Sequence, residues 1–145
     1  DEISCAIGIS SLKRLEVVRK KRLNIVKKIY YNLKKKSLIC SGYNLSPHAS
    51  PFFFPVWVNS KKIKVNKTKF AEAIIAEGIG LNPHYNYVVC EWPWAKKYMA
   101  DNFKTINALN TRNNSFNLYI NENYGDDEVN DIIESIVKAE KFFMK

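Results

Sequence analysis

Apolar residues recur at steps of three and four from Leu12 through Leu15, Val18, Leu23, Val26, Ile29, Tyr30 and Leu33, with Lys and Arg between them and one step of five across Arg22. The spacing predicts a long amphipathic helix with a basic outer face. Upstream, Ile3, Ala6, Ile7 and Ile9 also read as helix, and Gly8 with Ser10 and Ser11 marks the expected place of a bend. Helical character starts almost at residue 1, with little room for a cap, as a cut within a larger structure would produce. Ile3, Ala6, Ile7, Ile9 and Leu12 spread around more than one helix face, so this segment calls for burial on several sides.

The rest of the chain changes period repeatedly. Ser37 to Cys40 is a short strand candidate, and Ser41 to Ser50 a loop rich in Ser, Asn and Pro. From Pro51 to Val58 the pattern places Phe52, Phe54, Val56 and Val58 on one face and Phe53, Pro55 and Trp57 on the other. Pro55 lacks a backbone donor and argues for an edge position or a bulge. Lys61 to Lys64 should turn, and Asn66 can cap a helix through about Glu77 that buries Phe70, Ala73, Ile74 and Ile75, with Gly78 ending it. Leu81 to Val89 pairs as a strand in part, Pro93 opens a short helix through Tyr98, and Thr105 to Asn113 is a weaker helix. Phe116, Leu118 and Ile120 alternate with Asn117 and Tyr119 as a half-buried strand. In the last helix Gly125 caps, Asp126, Asp127 and Glu128 occupy the first turn, and Val129, Ile132, Ile133, Ile136, Val137 and Phe143 face inward. Strands and helices intermingle without regular βαβ units, so the fold class is α+β, a small antiparallel sheet covered by helices on one face.

A length of 145 residues fits one domain. The longest apolar run, Pro51 to Val58, is far short of the roughly 20 residues that span a bilayer. The formal net charge is +9, which raises nucleic acid or an anionic surface as partners. Residues 1–36, however, hold eleven basic residues against three acids, so most of the excess belongs to one helix face, and no groove-reading motif accompanies it. Nucleic acid and a membrane are therefore not the expected partners. Cys5, Cys40 and Cys90 are far apart, with no C-x-x-C and no His at zinc-ligand spacing, which fits free thiols in a cytoplasmic protein. His48 and His84 could join a metal site only through tertiary proximity.

Local chemistry is sparse. Neither G-x-G-x-x-G nor G-x-x-x-x-G-K-[ST] occurs, a Ser or Cys nucleophile has only two loop histidines as candidate bases, and most lysines lie in runs on presumed solvent faces, unsuited to a Schiff base. The segment Asn82 to Tyr87 followed by Glu91-Trp92-Pro93-Trp94 concentrates aromatic rings with polar tips. It reads equally as an aromatic cluster beneath a loop or as a contact surface.

The order of short motifs resembles the carboxy-terminal part of the DegT family of nucleotide-sugar aminotransferases. Ala6, Ile7, Gly8 and Leu12 match the segment that follows the large domain in that family, with Ser4 and Ser11 where Gln is common and Cys5 in place of Ala. Arg22 and Leu33 in the long helix, Gly78-Ile79, His84-Tyr85, Asn107-Ala108, Phe116 to Ile120 and the final helix through Lys138 continue the match. Two departures stand out: many relatives carry Pro-Leu-His where Tyr87 to Glu91 reads Tyr-Val-Val-Cys-Glu, and Tyr119 replaces a usual Pro.

The resemblance implies the small domain of an aspartate-aminotransferase fold, with 1–36 as interdomain helices and 37–145 as a small α+β domain lacking the large cofactor-binding domain. The parent would be a pyridoxal-phosphate enzyme moving an amino group, typically from glutamate, to a nucleotide-linked keto-sugar. Its Schiff-base lysine and cofactor contacts would lie in the large domain, so no catalytic residue and no cofactor are assigned to this chain, and His84 and Tyr85 are its substrate-cleft candidates. The implied partners are the chain's own large domain, a second subunit of a homodimer and the nucleotide-sugar. The competing reading is a stand-alone basic module that binds nucleic acid or an acidic protein.

Overall fold

The computed structural model describes residues 1–83, 87–100 and 104–145. Helix α1 spans Glu2–Lys36 without interruption. No bend forms at Gly8: the helix contains no proline, nothing lies within 4 Å of that glycine's missing Cβ, and a single glycine costs only about 1 kcal/mol in a helix interior. A cap exists after all, because the Asp1 carboxylate accepts from the Ser4 N–H at 2.7 Å.

Strand β1 is Cys40–Gly42 and β2 is Phe53–Val58; helix α2, Lys67–Ala76, and strand β3, Leu81–Asn82, follow. Helix α3, Ile106–Asn114, runs directly into strand β4, Ser115–Tyr119, and helix α4, Asp126–Phe143, completes the order. All pairings are antiparallel, in the spatial order β1-β2-β4-β3, with Val56 opposite Phe116 and Leu81 opposite Leu118. The first strand starts later than its sequence pattern predicts, since residues 37–39 are used to terminate α1. Ser37 N–H donates to Leu33 O at 2.9 Å, and Glu140 of α4 accepts from the N–H groups of Leu38, Ile39 and Cys40 at 3.0, 3.3 and 3.0 Å and from the Ser37 hydroxyl. The buried Glu140 carboxylate thus ties the end of α1 to the last turn of α4.

The alternation on β2 holds for Phe54, Val56 and Val58, all fully buried, whereas Phe52 precedes the strand and is exposed. Pro55 sits in an inner strand, yet β1 pairs only as far as Val56, so Pro55 has a neighbour on β4 alone and its missing donor leaves no gap in the ladder. At Gly42 a Cβ would lie 2.4 Å from the Phe54 ring, so only glycine lets β1 approach there. In α2 the inward side chains are Phe70, Ala71 and Ile74, while Ile75 is exposed. Asn66 caps this helix, accepting from Lys69 N–H at 2.8 Å, and Gly78 leaves it at φ 93°, a conformation that favours glycine. The expected short helix after Pro93 is a 3-10 turn at Lys96–Tyr98, with another at Val89–Glu91.

The core lies between one sheet face and helices α1, α2 and α4. Leu23, Ile25, Val26, Ile29 and Leu33 bury the carboxy-terminal half of α1 in it, and Ile132, Ile133 and Ile136 do so for α4. The amino-terminal half of α1 touches little. Ile3, Ile7, Leu12 and Leu15 are exposed by 74, 62, 68 and 52%. The opposite sheet face is also partly covered, by α3 on β2 and β4, so β4 is buried on both faces at Ser115 to Leu118 rather than half-buried.

Electrostatic pairs join α1 to the start of α4 and to the turn before it. Arg22 holds Glu122 at 2.7 Å and Lys28 pairs with Asp126. Glu122 lies below the usual carboxylate range because of a backbone hydrogen bond and Arg22; Glu128 does so because Gly125 N–H donates to it at 2.7 Å. Both groups release protons more readily in the folded chain. Their stabilisation is therefore complete above the unfolded value near 4.3 and is lost as pH falls through the lowered folded values. Urea midpoints should be flat from neutral pH to about pH 5 and drop below about pH 4. Glu122→Gln should flatten part of that drop.

Candidate functional site

Between β3 and β4 the chain leaves the sheet and returns to nearly the same place. Within that excursion Val88 and Ala95 are buried and anchor the segment. Tyr87, Trp92, Trp94 and Tyr98 follow one another ring against ring, with centroids 6.2, 5.1 and 6.4 Å apart. Tyr87, Trp94 and Tyr98 are exposed, so these rings form a surface strip rather than a small core.

Beside the strip, on the sheet face turned away from α1 and α4, lies a cleft of about 550 Å³. Phe53 and Pro55 of β2 and Ser115 and Asn117 of β4 form its floor; Tyr87 to Cys90, Thr105, and Ala108, Thr111 and Arg112 of α3 form its walls. The lining is mainly apolar. Several of its polar groups are engaged: Cys90 Sγ lies 3.0 Å from Thr105 Oγ1, Ser115 Oγ donates to Thr111 O at 2.7 Å, and the Arg112 guanidinium pairs with Glu91. Among the described residues no histidine and no carboxylate lines it, and what these walls offer is an apolar surface for binding.

His84 and Tyr85, the two cleft candidates from the sequence, lie outside the described residues. His48 is exposed in the 43–52 loop, whose carbonyls at Pro47 and Ala49 accept from Arg19 at 2.9 and 3.2 Å. Among the described residues no group of three or more His, Cys, Asp or Glu side chains could hold a metal. Two features escaped the sequence reading. The Cys90, Thr105, Glu91 and Arg112 cluster joins positions up to 22 apart that carry no shared motif. Lys67, read as one of many solvated lysines, is buried at the start of α2 with its ammonium donating to Pro83 O; burial and the nearby Arg112 lower its proton affinity.

The thiols should differ in reactivity. The Thr105 hydrogen bond holds Cys90 below the ordinary thiol value, whereas burial, with Glu140 adding to it, pushes Cys40 well up. Under native conditions an aromatic disulfide reagent is expected to modify Cys90 and the exposed Cys5 and to reach Cys40 only after denaturant is added. Thr105→Val should slow the Cys90 reaction.

The model of the DegT/DnrJ/EryC1/StrS aminotransferase family matches residues 1–137. The chain belongs to this family. An uncharacterized protein of Methanocaldococcus jannaschii is 27% identical over 141 residues, which are 94% of this chain and 36% of that protein. Helicobacter pylori PseC, an aminotransferase involved in the biosynthesis of pseudoaminic acid, superposes with a TM-score of 0.81 at 17% identity, over 98% of this chain and 38% of its own. GDP-4-keto-6-deoxymannose-3-dehydratase, solved with a trapped PLP-glutamate geminal diamine, gives 0.72 at 19% identity, over 93 and 35%. The chain thus spans a little over a third of the length of these proteins, and its fold is that of part of a PLP-fold aminotransferase.

The family points to pyridoxal phosphate in the parent chain. A site for it needs a lysine amine that reaches the cofactor aldehyde and donors around the phosphate. Lys67 is the only buried lysine among the described residues, is bonded to a backbone carbonyl and does not line the cleft. Among the described residues the cleft's one cation, Arg112, is already paired. The described residues do not fit the cofactor.

Proposed function

We propose that this chain is the carboxy-terminal, small-domain part of a pyridoxal-phosphate-dependent aminotransferase that moves an amino group, typically from glutamate, to a nucleotide-linked keto-sugar. The observation that carries the reading is the family match over residues 1–137. The exposed apolar half of α1 supports it, since residues 1–36 would lead to a large domain that covers Ile3, Ile7 and Leu12. In this reading the cofactor is held by the large domain, two subunits form a homodimer, and the segment from Pro83 to Trp94 borders the active-site cleft with His84 and Tyr85 toward the sugar. The reading is tested in the parent enzyme: His84→Ala or Tyr85→Phe is expected to raise the sugar-nucleotide KM or lower kcat, with the thermal midpoint unchanged. Unchanged kinetics in both would leave these residues only a packing role.

The dehydratase among the structural neighbours favours a second reading, in which the parent removes a hydroxyl from the sugar rather than aminating it. Mass analysis of the product separates the two, because amination retains the amino nitrogen in the sugar and dehydration does not.

A further inference from the structure

We propose that the end of the molecule where α1 terminates is a docking surface for an anionic lipid bilayer. Three segments converge there. Lys34, Lys35 and Lys36 form the last turn of α1, and Lys61, Lys62 and Lys64 follow β2. They are brought together by Lys62 Nζ donating to Leu38 O at 3.1 Å, Asn59 N–H to Ile39 O at 3.0 Å, and Lys64 N–H to Phe143 O at 2.9 Å. All six lysines are exposed, and among the described residues none of them forms an ion pair.

At the same end Leu38 and Phe142 are 68 and 76% exposed, and Met144, bridged to Ile63, is partly so. Helix-dipole complementation accounts for lysines in the last turn of α1. It does not account for Lys61 and Lys64, nor for a leucine and a phenylalanine left in water beside them. The acids that could neutralise the patch are placed elsewhere. Asp126 and Glu122 pair with the middle of α1, and Glu140, though local, is buried with its oxygens committed to backbone donors.

A field of unpaired lysines carrying protruding apolar side chains matches the interfacial region of a bilayer, where ammonium groups meet anionic headgroups and apolar tips enter the acyl boundary. A nucleic acid would call for a groove or a stacking platform, and the cleft and the aromatic strip contain none of these six lysines. At 1.5 Å per residue, Lys36 lies about 50 Å from Ile3, so the patch is well separated from the exposed apolar half of α1. The inference is independent of the catalytic reading, and it departs from the expectation of no membrane partner drawn from charge distribution alone.

The test is co-sedimentation of the full chain with phosphatidylcholine vesicles with and without phosphatidylserine, at low and high salt. Binding is expected only with phosphatidylserine and to weaken with salt. Each lysine near such a surface is worth about fivefold in affinity, so Lys35→Ala/Lys61→Ala/Lys64→Ala should lose about a hundredfold. Leu38→Ser/Phe142→Ser should weaken binding with every charge intact. Matching circular dichroism and urea midpoints would establish that the variants fold; if they do not, the lipid and salt dependence of the unaltered chain still decides. No binding to phosphatidylserine vesicles at low salt, equal binding to phosphatidylcholine alone, or tighter binding to an oligonucleotide or polyglutamate would overturn the proposal.

Discussion

Glu140→Ala is expected to lower the unfolding free energy of this chain by about 1–3 kcal/mol, a sizeable share of the 5–15 kcal/mol typical of a domain. The wild-type carboxylate accepts from three successive N–H groups and a hydroxyl where α1 ends. Cys40 N–H would keep the Ser37 hydroxyl at 2.7 Å, and Leu38, being exposed, could turn to water. Ile39 N–H is buried and would keep nothing, so its desolvation goes uncompensated. Glu140→Gln should cost less than the alanine change but remain unfavourable, because its amide presents donors where donors already converge. Urea denaturation of the three proteins checks the order. A midpoint for Glu140→Ala within error of wild type would mean that the carboxylate is dispensable.

The second large effect concerns association. Ile3, Ile7, Leu12 and Leu15 stand exposed on a helical arm that extends beyond the core, and apolar patches beyond a few hundred Å² rarely persist on a soluble monomer. The chain alone is expected to self-associate, more strongly once salt screens its +9 charge to a range of about 10 Å. Ile3→Ser, Ile7→Ser, Leu12→Ser and Leu15→Ser combined should yield a monomer by light scattering, with the urea midpoint preserved, since none of the four enters the core. A monodisperse wild type that binds no hydrophobic dye at either salt would contradict this.

These two effects also mark what could and could not be read from the sequence. The alternation of Phe54, Val56 and Val58, the Asn66 and Gly125 caps, and the period of Val129, Ile132, Ile133 and Ile136 each decide their element locally, and the fold class follows from them. Glu140 carries no such signal. A glutamate near a helix end reads as solvated, and only the arrival of residues 38–40 from a hundred positions away makes it an acceptor. The arm was legible as apolar on several faces, but periodicity says only that burial is called for, not where the cover comes from. The cleft resisted for a similar reason: its floor comes from alternate residues of two strands about 60 positions apart, and Cys90 meets Thr105 only because the intervening chain doubles back. Lys67 carries no local signal either, because its burial depends on the Pro83 carbonyl, 16 positions away, reaching its ammonium.

The excursion between β3 and β4 has a consequence for how such a scaffold diversifies. Asn82 and Asn117 are register partners, so the chain from 83 to 114 departs and re-enters at one point of the sheet. Changing the length of a segment with fixed ends costs little, about 0.6 kcal/mol for each doubling. Insertions and rewritten stretches can therefore accumulate there while β2, β4 and the three core helices keep their register. The aromatic strip and the cleft walls are drawn almost wholly from that segment, so their lining can change without disturbing the register of the sheet. Tyr87 to Glu91, one of the two stretches that depart from the resembled family pattern, lies inside it.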